Sequence, residues 1–220
     1  MKICVWLGSA APLRSIRWLD GAIAAGAAVG DATTIAAGDA TWLDLAADRS
    51  SRMGVASAGV VTDLTLDYLG WAQVAFAAAR HLGASTIFVD EASRPERFPE
   101  VAAIAELMDA VQLTHIVALA PDRNGKVIHA SRSTGRGELQ TVRVRGPAVF
   151  GVRMAGAAID EYPTPMPSSS MKRLELSTLG LDPIVLGHRA LPPRASREPR
   201  RTVDRVAEHL AAHLVPRRGG

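Results

Sequence analysis

The stretch KICVWLGSAAPLRSIRWLDGAIAAGAAVGDATTIAAGD, residues 2–39, holds two short apolar runs, each leaving through a glycine, with one Ala-rich segment of helical length between them. KICVWLG (2–8) and DATTIAAGD (31–39) lack the polar alternation of a half-exposed strand and read as strands buried on both faces. The intervening SIRWLDGAIAAGAAVG (15–30) contains Gly21 and Gly26. An interior glycine costs about 1 kcal/mol relative to alanine in a helix, so this helix is expected to be held in place by packing. Strand, helix and buried strand in succession open a parallel α/β sheet.

The same alternation continues outward. TWLDLAADRSSRMG (41–54) reads as a helix that Thr41 is placed to cap and Gly54 to close, and VASAGVV (55–61) as the third strand. LDYLGWAQVAFAAARHLG (66–83) sets Leu69, Ala72, Val74, Phe76 and Ala79 among few charges, the composition of a mostly buried helix docked on a sheet. STIFV (85–89) is the fourth strand. FPEVAAIAELMDA (98–110) is a helix with Val101, Ile104, Ala105 and Met108 on one stripe, and THIVALA (114–120) is the fifth strand. The fold class expected is α/β, a Rossmann-like open parallel sheet wound by helices on both faces.

From Pro121 the rhythm changes. GKVIHASR (125–132), GELQTVRVR (137–145) and PAVFGVRM (147–154) are separated by turn residues and read as an antiparallel β excursion over 121–153. The expected organisation is a nucleotide-binding-like domain over 1–153, followed by an arm over 154–220. Proline spacing in YPTPMPSSS (162–170) and LPPRASREP (191–199) argues against a continuous helix or a central strand, so residues 155–200 read as an arm and not a core. TVDRVAEHLAAHLV (202–215) is a last amphipathic helix with Val203, Val206, Leu210 and Leu214 on one face, packing back on its own domain or docking on another subunit.

A chain of 220 residues that is 48% apolar can bury one good core. Its net charge is +3, and residues 189–220 hold eight arginines against Glu198, Asp204 and Glu208, a local balance of +5 that leaves −2 on the rest. That surplus lies in a Pro- and Arg-rich tail without an aromatic residue, so it does not read as a nucleic-acid surface, which needs stacking platforms on a folded face. No apolar run is long enough to span a bilayer, and the first ten residues lack the pattern of a secretory leader, so a cytoplasmic protein without membrane insertion is expected. Cys4, inside KICVWL, is expected to be a buried and inert thiol.

Residue types that carry familiar bond chemistry are sparse. There is no G-x-S-x-G elbow, no P-loop, no G-x-G-x-x-G after a strand, and no Cys/His cluster of zinc spacing. His209 and His213 are four apart on the last helix but have no third ligand nearby, so no metal site is expected. His115 and His129 fall in predicted strands with no carboxylate at suitable spacing, and read as packed or surface residues.

The order of these segments resembles the beta subunit of electron transfer flavoproteins, as a shortened and divergent member. The most specific part is GKVIHASRSTGRGELQTVRVRGPAVFGV (125–152), similar to that family's hairpin with its Arg, Gly, Thr-Val and Pro-Ala-Val in register. YPTPMPSSSMK (162–172) resembles the family's recognition-loop segment with two residues added between Tyr162 and Met171, and VAAIAELMDAVQLTHIVAL (101–119) resembles a segment shared by the alpha and beta subunits. Upstream, TIAAGDATWLDLAADRSSRMGVASAGVVTD (34–63) is similar to a family stretch, with Asp39 where a proline is usual.

The resemblance implies an electron-carrying subunit and not a catalyst with its own reacting side chains. FAD would be held mainly by an alpha subunit in a heterodimer, with an acyl-CoA or other flavin dehydrogenase as electron donor. It also implies a crevice at strand ends for AMP or, in bifurcating members, a second FAD. The crevice candidates are Gly8 and Ser9 after the first strand, Ala37, Gly38 and Asp39 after the second, Asp63 after the third, and Asp90, Ser93, Arg94 and Arg97 after the fourth. The family's loop after the fourth strand keeps only Ser93 here, its glycines replaced through Pro95, Glu96, Phe98 and Pro99; Arg94 and Arg97 either pair with phosphate from the side or belong to an ordinary solvated loop. The excursion that contacts flavin in the family is reduced to residues 10–15. Tyr162, Met166 and Pro167 would form the recognition loop, with Met166 as its apolar anchor where leucine is usual. The alternative is a free-standing Rossmann-like domain that binds AMP or ATP without flavin.

Overall fold

A computed structural model describes residues 1–8, 16–64, 66–91, 98–135, 137–154 and 171–187. The chain divides into a unit over 1–190 and a unit over 191–220, the latter outside the described residues along with the last predicted helix. The elements are β1 (Lys2–Gly8), α1 (Ile16–Val29), β2 (Asp31–Gly38), α2 (Ala40–Arg52), β3 (Ala56–Val61), α3 (Tyr68–Leu82), β4 (Thr86–Asp90), α4 (Phe98–Met108), β5 (Val111–Pro121), β6 (Ile128–Gly135), β7 (Glu138–Val144), β8 (Ala148–Val152), β9 (Lys172–Leu174) and α5 (Pro183–Gly187).

The strands form one sheet in the order β7-β6-β5-β8-β4-β1-β2-β3-β9. From β5 through β9 along that order all pairings are parallel, and only β5–β6 and β6–β7 are antiparallel. The expected α/β Rossmann-like fold is therefore present. Chain direction across the sheet reverses around β1, with β2 on one side and β4 on the other, which makes the carboxyl ends of β1 and β4 the topological switch point.

Two apolar layers flank the sheet. Ile3, Val5 and Leu7 of β1 face α1 and α2, while Cys4 and Trp6 face the layer of α3 and α4, as a period of two requires. Cys4 is fully buried and its thiol is pushed far up by desolvation, as expected for an inert core residue. In α1, Gly26 lets the helix lie directly on the sheet. A methyl added there would meet Val5 Cγ2 at 2.5 Å, with Ala32 and Phe88 close behind. The glycine that weakens this helix in isolation is thus what allows its packing. On the opposite face, Val101, Ile104 and Ala105 of α4 are buried as the stripe predicts, whereas Leu69 and Phe76 of α3 are not.

Three expectations are corrected. The cap of α2 is Asp39, whose Oδ1 accepts from the Trp42 N–H at 2.8 Å, and not Thr41; α2 begins at Ala40, which puts Thr41 inside its first turn and Asp39 at the capping position. The segment PAVFGV is not part of an antiparallel excursion. As β8 it inserts between β4 and β5, parallel to both and buried at every position. Finally, residues 171–187, within the 155–200 stretch expected as an arm and not a core, join the core: β9 pairs parallel with β3, and Leu174, Leu176, Leu179 and Leu186 are buried in the α3/α4 layer. Burial of four leucines supplies the apolar area that overrides the loop-like proline content around them.

Candidate functional site

β1 ends at the switch point with Gly8 at φ +64°, and the adjacent β2 ends at Gly38 with φ +148°, conformations that a side chain would oppose. Gly8 stands opposite Ala36, so the floor beside it is the small-residue run Ala36, Ala37, Gly38. Ala37 is buried in the α3/α4 layer and offers only its backbone here. The Trp42 indole donates to the Gly8 carbonyl at 2.8 Å, which ties the first turn of α2 to the exit of β1. Asp39 serves as the α2 cap. Asp63 is exposed beyond β3, and Asp90 is buried at the end of β4.

The structure therefore brings Gly8, Ala37, Gly38 and Asp39 together on two adjacent strand ends, with Asp90 on the strand flanking β1 on its other side. Ser9, Ser93, Arg94 and Arg97 lie outside the described residues, as do Tyr162, Met166 and Pro167. Beneath this edge the Trp6 indole donates to the buried Glu100 carboxylate at the start of α4, and the Trp6 and Trp71 rings approach to 6.4 Å between centroids. These contacts fix the helices against the strands that carry the crevice.

A second concentration of polar groups lies on the other side of β4. Glu91, just past β4, is buried, and its Oε2 accepts from the His115 backbone N–H at 2.8 Å while Oε1 lies 3.4 Å from His115 Nδ1. His115 has φ +60°, and the ladders of β5 with β8 and with β6 both shift register near it. Gly151 makes room for the Glu91 carboxylate, which a methyl at that position would strike. The expectation that His115 lacks a carboxylate partner is thus corrected: Glu91 is distant in sequence but adjacent across β4, β8 and β5. A cleft of about 570 Å³ opens here, lined by Thr114, His115, Arg132, Ser133, Thr134, Gly135 and Arg153. Sequence reasoning missed Glu91, Arg132 and Arg153, and the available signal was the Asp90-Glu91 acid pair at the exit of an otherwise apolar strand.

Among the described residues no group of His, Cys, Asp and Glu side chains is arranged to hold a metal ion. No helix among them is long and apolar enough to cross a membrane.

No curated protein matches the chain. The model of the electron transfer flavoprotein domain matches residues 19–178, a span that runs from within α1 past β9 and takes in β2, β4 and the inserted β8 but not β1. That match covers most of the sequence and follows the sheet through its hairpin and its last parallel strand, and the chain belongs to the electron transfer flavoprotein domain family.

Proposed function

We propose that this chain is the beta subunit of an electron transfer flavoprotein, a cytoplasmic heterodimer with an alpha subunit that holds most of the FAD. The observation that carries this reading is the family match extending through GKVIHASRSTGRGELQTVRVRGPAVFGV, the segment that resembles beta subunits, with Ala148–Val152 seated as a central strand after Pro147. FAD supplies the redox chemistry, accepting electrons from an acyl-CoA or other flavin dehydrogenase and passing them on. The chain's own residues contribute scaffold and docking surface.

The strand ends at the switch point fit the approach of an adenine nucleotide. Gly8 and Gly38 leave β1 and β2 with positive φ, and nothing larger than alanine occupies 36–38. AMP bound there would be met by the backbone of Gly8, Ala37 and Gly38, with Asp39, Asp63 and Asp90 as nearby carboxylates and Ser93, Arg94 and Arg97 following β4 in sequence. Met166, between Pro165 and Pro167, is the proposed apolar anchor for the dehydrogenase, flanked by Tyr162.

Co-expression with an electron transfer flavoprotein alpha subunit from the same source tests the reading. A yellow two-chain complex that releases FAD, and AMP if the crevice is filled, on acid precipitation is the expected result. A colourless, well-behaved single chain that binds AMP or ATP and ignores the alpha subunit would replace it with a free-standing nucleotide-binding domain. Within a yellow complex, Met166→Ala should slow reduction by the cognate dehydrogenase several-fold and leave flavin content unchanged.

A further inference from the structure

We propose that the cleft between β5, the end of β6 and the exit of β8 binds the phosphoryl group of a small molecule, separately from the switch-point crevice. Two guanidinium groups line it, Arg132 from β6 and Arg153 from just after β8. Neither is in an ion pair among the described residues. Arg132 Nε donates to Gln140 Oε1 at 2.6 Å, which orients the guanidinium through one edge and leaves its terminal amino groups for another acceptor. Thr114 and Ser133 add hydroxyl donors to the same wall, while the Thr134 hydroxyl donates to the Glu138 carbonyl. Two fork-shaped cations beside two hydroxyl donors match the several oxygens of a phosphoryl group better than they match a neutral ligand.

The Glu91 carboxylate beneath the cleft offsets at most one of the two guanidinium charges and is itself held in place. Glu91 is buried against Gly151 and accepts from the His115 backbone N–H, holding that histidine at φ +60° on the cleft wall. A non-glycine residue in that conformation persists only where its surroundings over-determine it, and such residues cluster at ligand sites. Here a buried acid, a glycine that accommodates it and register shifts in two ladders all serve to fix one wall of a polar cleft. A volume of about 570 Å³ is in the range of small-molecule sites.

The test uses the full-length chain and inorganic pyrophosphate as probe, followed by titration calorimetry. Saturable binding of about one equivalent at millimolar concentration or tighter is expected. Arg153→Gln and Arg132→Gln should each weaken it about tenfold, since one charge-assisted hydrogen bond is worth roughly that factor. Arg143→Gln, on β7 opposite His129, should leave it unchanged. Loss of pyrophosphate binding in Arg153→Gln, with Arg153 on the cleft wall and away from β1 and β2, separates this site from the crevice whatever the fate of the beta-subunit reading. Citrate binding more tightly than pyrophosphate would overturn the phosphoryl assignment. Absent binding, or equal losses in Arg143→Gln, would overturn the site. Should Arg132→Gln fail to fold, Arg153→Gln suffices, because Arg153 is exposed and makes no side-chain bond among the described residues.

Discussion

The two faces of the sheet are built on different terms. Against α3 and α4 the layer is closed by small side chains, with Ala72, Ala75, Ala78 and Ala79 at or near zero exposure, and its buried indole Trp6 has the Glu100 carboxylate as acceptor. Against α1 and α2 the layer contains an ion pair. Asp20 of α1 and Arg49 of α2 face each other at 3.5 Å, with side-chain exposures of 0% and 9%. Both Asp20 oxygens and the Nε and Nη1 of Arg49 lack a hydrogen-bond partner among the described residues, and Thr34 Oγ1 on the same side of β2 does as well. A buried pair with unfilled hydrogen-bonding capacity contributes little net stability, because desolvation offsets the attraction. The α3/α4 face is organised for stability, and the α1/α2 face retains charges that a better-packed apolar pair could replace.

The largest expected effect comes from splitting that pair. Arg49→Met leaves the Asp20 carboxylate buried without its cation and should destabilise the fold by about 3–5 kcal/mol in urea unfolding. Asp20→Leu combined with Arg49→Met should recover most of that loss and can exceed the native stability. Equal destabilisation in the single and double variants would mean that the pair holds α1 to α2 and does not merely tolerate burial.

A smaller effect sharpens the contrast through packing. Gly26→Ala adds a methyl 2.5 Å from Val5 Cγ2, and overpacking of a filled core costs about 1–3 kcal/mol. Helix propensity returns about 1 kcal/mol of this, so a net loss is expected despite the better helix former. A stabilised variant would show that α1 can rise off β1 as the alanines of α3 do not need to.

The sheet core was legible in the sequence because continuous apolar runs can only be buried on both faces, and β1 to β4 were found within one or two residues. The same rule applied to AVFGV, which is apolar at every position, unlike the alternating segments before it. Its central place was masked by adjacency in sequence to a hairpin, since a strand that joins a sheet after a long detour has no local signature of its neighbours. Residues 171–187 were hidden for a related reason: KRL is too short to show a period, and its burial depends on the exposed edge of β3 and on the leucines that follow. At the switch point, glycine at strand exits was readable. The Glu91–His115 contact was not, because it crosses the intervening strand β8 and rests on a backbone conformation that histidine rarely announces.

The smallest expected effect lies in the pH dependence of the buried pair. Burial raises the Asp20 pKa above the ordinary carboxylate value, and the nearby Arg49 and then Arg52 guanidiniums oppose that shift without reversing it. A folded-state pKa above the unfolded one means that the folded protein binds the proton more tightly. The resulting stabilisation is fully present below the unfolded carboxyl pKa, about 4, and is lost as pH rises through the higher folded value. Compared with Asp20→Asn, which cannot titrate, the native chain should therefore gain relative stability between neutral pH and about pH 4. Paired urea titrations at several pH values read this difference directly and cancel the titration of the surface carboxylates common to both. If the native chain instead loses ground to Asp20→Asn on acidification, the attraction of Arg49 outweighs desolvation, and the α1/α2 face is held together by its charges and not in spite of them.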